Sequence, residues 1–320
     1  MGRMLMVAAL ALGLAGELFA QSYPSRAIRW IVPFPPGAAT DTVSRVVANE
    51  MAARLGQPIV VENRAGAGGS IGLEQLARAV PDGYTIGTGP SGAVTINPHL
   101  TEKTTFDPLR DLSAVAKMAA VPIVVVAASS APYNSIGELL AAARAKPGSI
   151  GFGSPGNYTV MHLAGELFKN QAAVQLTHVP YKGGAPAATD LIAGHIPLGF
   201  IDLSAVYTQI KAGKLKALAI TSAQRTAIAP EIPTVAEAGV PGLDVAAWTG
   251  VFAPAGTPAP IVARLNAEVG EILKRADIRD RLIAQALEPA YESTEQFAEN
   301  AASDSRRWGA IIRGLTGAIK

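Results

Sequence analysis

The stretch Ile31-Val-Pro-Phe-Pro-Pro-Gly-Ala-Ala-Thr-Asp41 decides the fold, because it runs from a strand through a Pro-Gly turn into the start of a helix. The apolar run Ala27 to Pro33 reads as the strand and Phe34 to Ala39 as the turn. Thr40 or Asp41 is expected to cap a helix that carries Val43, Val46, Val47, Met51 and Leu55 on one face, and Gly56 to end it. The same succession returns in Ile150-Gly-Phe-Gly-Ser-Pro-Gly-Asn-Tyr-Thr159, again a strand, a turn with Pro-Gly and a hydroxyl-bearing helix start. In a parallel sheet such turns lie at the carboxyl ends of strands, where α/β proteins bind ligands. Two copies far apart in one chain predict two α/β units that present these turns to each other.

The neighbouring sequence fits that division. Gln57 to Glu62 and Tyr84 to Thr88 read as further strands of the first unit, around a glycine-rich loop at Asn63 to Ser70 and a helix at Ile71 to Val80. A second unit follows the apolar run Val121 to Ala128, with Ser135 and Glu138 spaced as a capping box. Its strands are expected at Gln175 to Val179, Pro197 to Ile201 and Lys216 to Thr221, with helices ending at Gly194 and Gly213. Another apolar run, Trp248 to Ala253, leads into a helix from about Pro260 to Lys274, and Ser293 with Gln296 opens a last one. With 320 residues the chain is long enough for two cores.

Composition narrows the function classes. A net charge of +2, from 27 Lys and Arg against 25 Asp and Glu, is too weak a bias for a nucleic-acid partner. The absence of cysteine excludes a disulfide framework and thiolate catalysis. Within residues 1–20, Arg3 and the apolar Leu5 to Leu14 read as an export signal too short to span a bilayer.

Catalytic patterns fail by single positions. A dinucleotide fingerprint built on Gly66 and Gly68 needs glycine at position 71, where Ile71 stands, so the loop reads as an amide-rich anion cradle that includes Gly69 and Ser70. Ser91, in Gly89-Pro-Ser-Gly92, lacks the second glycine of a nucleophile elbow because Ala93 occupies that place. His99, His162, His178 and His195 do not have zinc-site spacing, and His162 reads either as a cleft residue or as a hydrogen-bonded structural one. Arg64 suits a bidentate clamp on a carboxylate or an ion pair with Glu62 or Asp82, and Lys182 faces the same choice between ligand and solvent. Tyr158 and Tyr181, loop aromatics with a hydroxyl, are the better candidates for ligand contact.

Taken in order, Trp30-Ile-Val-Pro-Phe-Pro-Pro-Gly37 with Asp41, Val61-Glu-Asn-Arg-Ala-Gly-Ala-Gly-Gly69, Pro81-Asp-Gly-Tyr84, Gly153-Ser-Pro-Gly156 with His162-Leu-Ala-Gly165, Val179-Pro-Tyr-Lys-Gly-Gly-Ala-Pro186 and Pro254-Ala-Gly-Thr-Pro258 resemble the Bug-type solute receptors of tripartite tricarboxylate transporters. The resemblance implies an α/β, two-lobed, type II periplasmic-binding-protein (Venus flytrap) fold with two hinge strands, Val121 to Ala128 and Trp248 to Ala253. It implies a signal peptide at 1–20, a first lobe from 23–123 plus 250–320, and a second lobe at 124–249.

The implied function is that of an exported periplasmic receptor, a monomer without cofactor, metal or catalysis. It would capture a small organic carboxylate (a dicarboxylate, tricarboxylate, amino acid or aromatic acid) and deliver it to the membrane permease subunits. The ligand would lie between Phe34, Gly37, Ala38, Ala39, Thr40 and Asp41 on one side and Ser154, Asn157, Tyr158, Thr159 and His162 on the other. Gly69, Ser70, Ser91, Gly92, Tyr181, Gly183, Gly184 and Asp202, on the adjoining loops and strand ends, complete the expected site. Backbone amides, hydroxyls and water are expected to hold the carboxylate, with Ser154 touching it and Asp41 capping its own helix. Two positions depart from the family pattern: Gly37-Ala38 stands for Pro-Gly-Gly, and Gly156-Asn-Tyr-Thr159 for Gly-Asn-Gly-Thr. A ligand sensor feeding a signalling partner shares the same binding chemistry. An exported hydrolase ranks last, because no nucleophile, base or metal set is legible.

Overall fold

The computed structural model describes residues 23–100 and 106–314, and the expected export signal lies outside them. The first unit opens with β1 (Ile28–Val32), α1 (Ala39–Leu55), β2 (Ile59–Asn63), α2 (Ser70–Ala77) and β3 (Thr85–Pro90). β1 runs parallel to both β2 and β3. Its Ile28, Trp30 and Val32 are fully buried, the near-continuous apolar run expected of a strand covered on both faces. The one polar atom this places in the core is satisfied: Trp30 Nε1 donates to Thr88 Oγ1 at 2.7 Å, and Thr88 meets the Ser44 hydroxyl, which donates to the Thr40 carbonyl.

A short α3 (Pro108–Asp111) leads into β4 (Leu112–Val121), and the chain then crosses to the second unit at Pro122. There it forms β5 (Ile123–Ala128), α4 (Ile136–Ala145), β6 (Gly151–Ser154), α5 (Val160–Ala172), β7 (Thr177–Pro180), α6 (Gly184–Ala193), β8 (Leu198–Asp202), α7 (Leu203–Lys211) and β9 (Leu215–Ile220). The chain returns through β10 (Ala247–Pro254), α8 (Ala259–Lys274), α9 (Ala276–Ala284), β11 (Glu288–Glu292) and α10 (Thr294–Gly314). Two mixed sheets result, ordered β11-β4-β10-β3-β1-β2 and β7-β6-β8-β5-β9. Each is flanked by its own helices, which gives the two-lobed α/β architecture.

The hinge strands need correcting. Val121 belongs to the first sheet, opposite Ala247, while Ile123 to Ala127 pair with β8 in the second, so only Pro122 lies between sheets. All of Trp248 to Ala253 pairs with β4 inside the first sheet. The return crossing comes earlier, after Val245, whose amide donates to the Thr221 carbonyl at 2.9 Å. Proline fits the outward crossing because it offers no ladder donor and holds the chain extended.

Local signals at helix ends behave as their chemistry requires. Gly56 and Gly194 end α1 and α6 in the left-handed conformation. At α10 the capping box is reciprocal: Ser293 Oγ accepts from the Gln296 amide at 3.3 Å, and Gln296 Oε1 accepts from the Ser293 amide at 3.2 Å. At α4, Ser135 caps Glu138 as expected, but the Glu138 carboxylate takes the Asn134 amide instead.

Candidate functional site

The turn after β1 is braced by one buried carboxylate. Ala38, not Thr40 or Asp41, is the N-cap of α1, and no side chain caps that helix. Asp41 turns back instead, accepting from the Gly37 amide at 3.0 Å, from Arg45 Nε at 3.0 Å and from Asn63 Nδ2 at 2.8 Å. Asn63 also donates to the Phe34 carbonyl at 2.8 Å, so the end of β2 stitches both ends of the turn. Burial raises the Asp41 pKa, but the hydrogen bonds from Arg45, Asn63 and Gly37 outweigh it and hold the carboxyl below its ordinary range. The expected helix-capping role of Asp41 is therefore replaced by a turn-bracing one.

The matching turn after β6 is held by hydroxyls and histidines. Thr159 caps α5, accepting from the His162 amide at 3.3 Å and donating to the Gly156 carbonyl at 2.8 Å. Ser154 is fully buried, and its hydroxyl meets His178 Nε2 at 2.6 Å and the Gly156 carbonyl at 3.1 Å. That hydroxyl supports the turn from behind. His162 accepts the Tyr158 amide on Nδ1 at 3.1 Å and stacks on His178 with ring centroids 3.9 Å apart. Burial, helped by their mutual repulsion, lowers His162 to about 3, and burial lowers His178 to about 4. Both are neutral packing groups at ordinary pH, the structural reading of His162. Tyr158 itself has φ 63, a left-handed backbone that favours glycine.

Two spaces with shared lining residues open where the turns meet. An inner chamber of about 50 Å³ is lined by Phe34, Ala38, Ala39 and Thr40 from the first turn, Ser91 and Gly92 after β3, Thr159 and Val160 at the start of α5, Gly184, Asp202, Trp248 and Thr249. An outer groove of about 870 Å³ shares Phe34 and adds Gly69, Ser70, Asn157, Tyr158, Tyr181 and Lys182. Of the residues expected at the site, Gly37, Asp41, Ser154, His162 and Gly183 line neither space. The lobes touch around the chamber. A methyl added at Gly92 would stand 3.3 Å from the Val160 amide nitrogen, and one at Gly68 would stand 3.1 Å from the Asn157 carbonyl oxygen.

The chamber is rich in neutral donors. The first turns of α1, α5 and α6 border it, and neither α1 nor α6 has a side-chain cap. Their free amides carry the positive end of the helix dipole. Thr40 Oγ1 and Thr249 Oγ1 are buried there without a hydrogen-bond partner. Among the described lining residues Asp202 is the one ionisable side chain.

Arg64 lies outside both spaces, half exposed, with its guanidinium on Glu62 at 3.0 Å, which is its ion-pair reading. Ser91 accepts the Trp248 amide at 3.2 Å, and no histidine is among the described residues that line its chamber. Thr249 and Trp248 were invisible as site residues in the sequence because they sit inside an apolar strand. Their one available signal was the position of that strand at the return crossing.

Comparison with known proteins agrees with this fold. A family model described as tripartite tricarboxylate transporter family receptor matches residues 43–316. Protein BugT of Bordetella pertussis is 36% identical over 309 residues, covering 96% of this chain and 95% of BugT. An R. palustris protein solved with adipate superposes with a TM-score of 0.89 at 33% identity, covering 92% of this chain and 99% of that one. MatC from Rhodopseudomonas palustris, solved with bound malate, gives a TM-score of 0.84 at 33% identity, covering 91% and 100%.

Proposed function

The chain belongs to the tripartite tricarboxylate transporter receptor family, whose Bug-type periplasmic binding proteins are solute receptors and not enzymes, and from that premise we propose how this member works. It captures a small organic carboxylate in the inner chamber, with the distal part of the ligand reaching the outer groove. It then presents the closed form to the membrane permease subunits of a tripartite tricarboxylate-type transporter. An N-terminal export signal delivers it to the periplasm. The lobe built on the first sheet and the lobe built on the second, which begins at Ile123 and ends near Val245, rock against each other about Pro122 and the segment after Val245.

One observation carries this reading. Uncapped helix starts from both lobes and two partnerless buried hydroxyls converge on one chamber whose described lining contains no cation. Such a site suits an anion held by amides and hydroxyls, because each donor is left unsatisfied until a ligand arrives. Neutral donors also make affinity insensitive to salt. The test is a thermal-shift screen of the mature chain against dicarboxylates, tricarboxylates, amino acids and aromatic acids, followed by calorimetry at low and high salt. Stabilisation by a subset of acids with little salt dependence is expected. A steep loss of affinity with salt would replace the neutral-donor site with a cationic anchor.

A further inference from the structure

Asp202 is the unexplained group in the chamber. It ends β8 and occupies the N-cap position of α7, where an aspartate ordinarily turns its carboxylate onto the free amides of the helix. This one makes no capping bond. It is 8% exposed, and burial is the only influence on its ionisation, which it pushes up to about 7. The carboxyl reaches toward the first turn of α6, with Oδ2 3.2 Å from the point a Gly184 Cβ would occupy. Thr40 Oγ1 and Thr249 Oγ1, also buried and partnerless, border the same chamber from the other lobe.

A buried carboxylate without a donor is unfavourable until a proton or cation meets it. No lysine, arginine or histidine among the described lining residues does so. A ligand with carboxylates alone would add like charge beside Asp202. A ligand with an ammonium or hydroxyl near its carboxylate would give the helix starts their anion and Asp202 its donor together. Resting on the receptor reading above, we propose that Asp202 selects for a proton-donating substituent, so that this receptor prefers amino or hydroxy acids to the unsubstituted acids of the same carbon chain.

The experiment is calorimetry at pH 8 on the mature chain with three matched sets: succinate, L-malate and L-aspartate; glutarate, L-α-hydroxyglutarate and L-glutamate; hydrocinnamate, L-phenyllactate and L-phenylalanine. In any set that binds, a substituted member should bind roughly tenfold or more tighter than the unsubstituted one, as expected when a buried acceptor is satisfied in one complex only. The arm that gains identifies the donor as ammonium or hydroxyl. Asp202→Ala should abolish the preference. Asp202→Asn should keep more of a hydroxyl preference than of an ammonium one, because its amide oxygen still accepts. Both variants remove a buried unpaired charge, so their melting temperatures without ligand should not fall. Equal or tighter binding of the unsubstituted acid, or a preference that survives in both variants, overturns the role of Asp202 and leaves the receptor reading standing. Failure of every acid in all three sets to bind overturns both.

Discussion

Replacing Tyr158 by glycine and, separately, by alanine isolates the strain at a position whose backbone is left-handed. Tyr158 has φ 63, a conformation that is unfavourable for a residue with a Cβ by roughly 1–2 kcal/mol. Both substitutions delete the same ring, whose centroid lies 6.2 Å from that of His162. They differ in that alanine keeps the strain while glycine relieves it and adds freedom to the unfolded chain. The net expectation is that the glycine variant is more stable than the alanine variant by about 1 kcal/mol. In a chain of this size that is about 2 °C in melting temperature. Urea unfolding and thermal melts on the two proteins measure it directly. The ring also lines the outer groove, so the order of preference among long and short ligands should change in both variants. An alanine variant as stable as the glycine one would refute the claim that the turn holds Tyr158 under backbone strain, and an unchanged ligand order would remove the ring from the binding surface.

Gly92→Val should prop the lobes apart, since even a methyl there stands 3.3 Å from the Val160 amide nitrogen; ligand affinity should fall roughly tenfold while the melting temperature without ligand holds. Both histidine pKa values lie below the ordinary 6.5 in the folded state, so their contribution to stability is complete above about pH 6.5 and is lost as pH falls through about 4 and about 3. The raised Asp202 carboxyl works in the opposite sense over the same range, so the histidine contribution is read as a difference: melting temperature should fall less between pH 6.5 and 4 in His178→Gln than in the unaltered chain. Arg64→Ala should change affinity by less than about twofold at any salt concentration, because an exposed ion pair to Glu62 contributes only about 0–1 kcal/mol and lies outside the cleft. A large, salt-sensitive loss at Arg64 would place a cation in the site.

How much of this could be read from the sequence depended on whether a residue's role was local. The Pro-Gly turns, the glycines that end α1 and α6, and the Ser293-Gln296 box are set by backbone geometry within a few residues, and they were legible. β4 was not. Its sequence, LSAVAKMAAV, is built from good helix formers, and it is a strand because β10 and β11 flank it and Glu292 meets the Lys117 ammonium at 2.8 Å. β11 was equally hidden, since Pro289 in a five-residue run reads as a break and is tolerated only at the sheet edge.

The site divides the same way. Phe34, Thr40 and Thr159 follow from the turn echo, whereas the brace from Asn63 to Asp41 joins residues 22 apart in sequence. The His178 that occupies the Ser154 hydroxyl comes from a neighbouring strand. Serine after a strand looks the same whether its hydroxyl faces the cleft or the core.

A receptor of this kind requires that the two lobes close on a carboxylate. Small-angle scattering on the mature chain, with and without a saturating concentration of the tightest acid found by calorimetry, tests it most directly. The radius of gyration should fall on binding and the distance distribution should lose its longest vectors, as lobe closure about two crossings requires. An unchanged profile, with occupancy confirmed by calorimetry on the same sample, would contradict closure and leave a rigid binding cleft in its place.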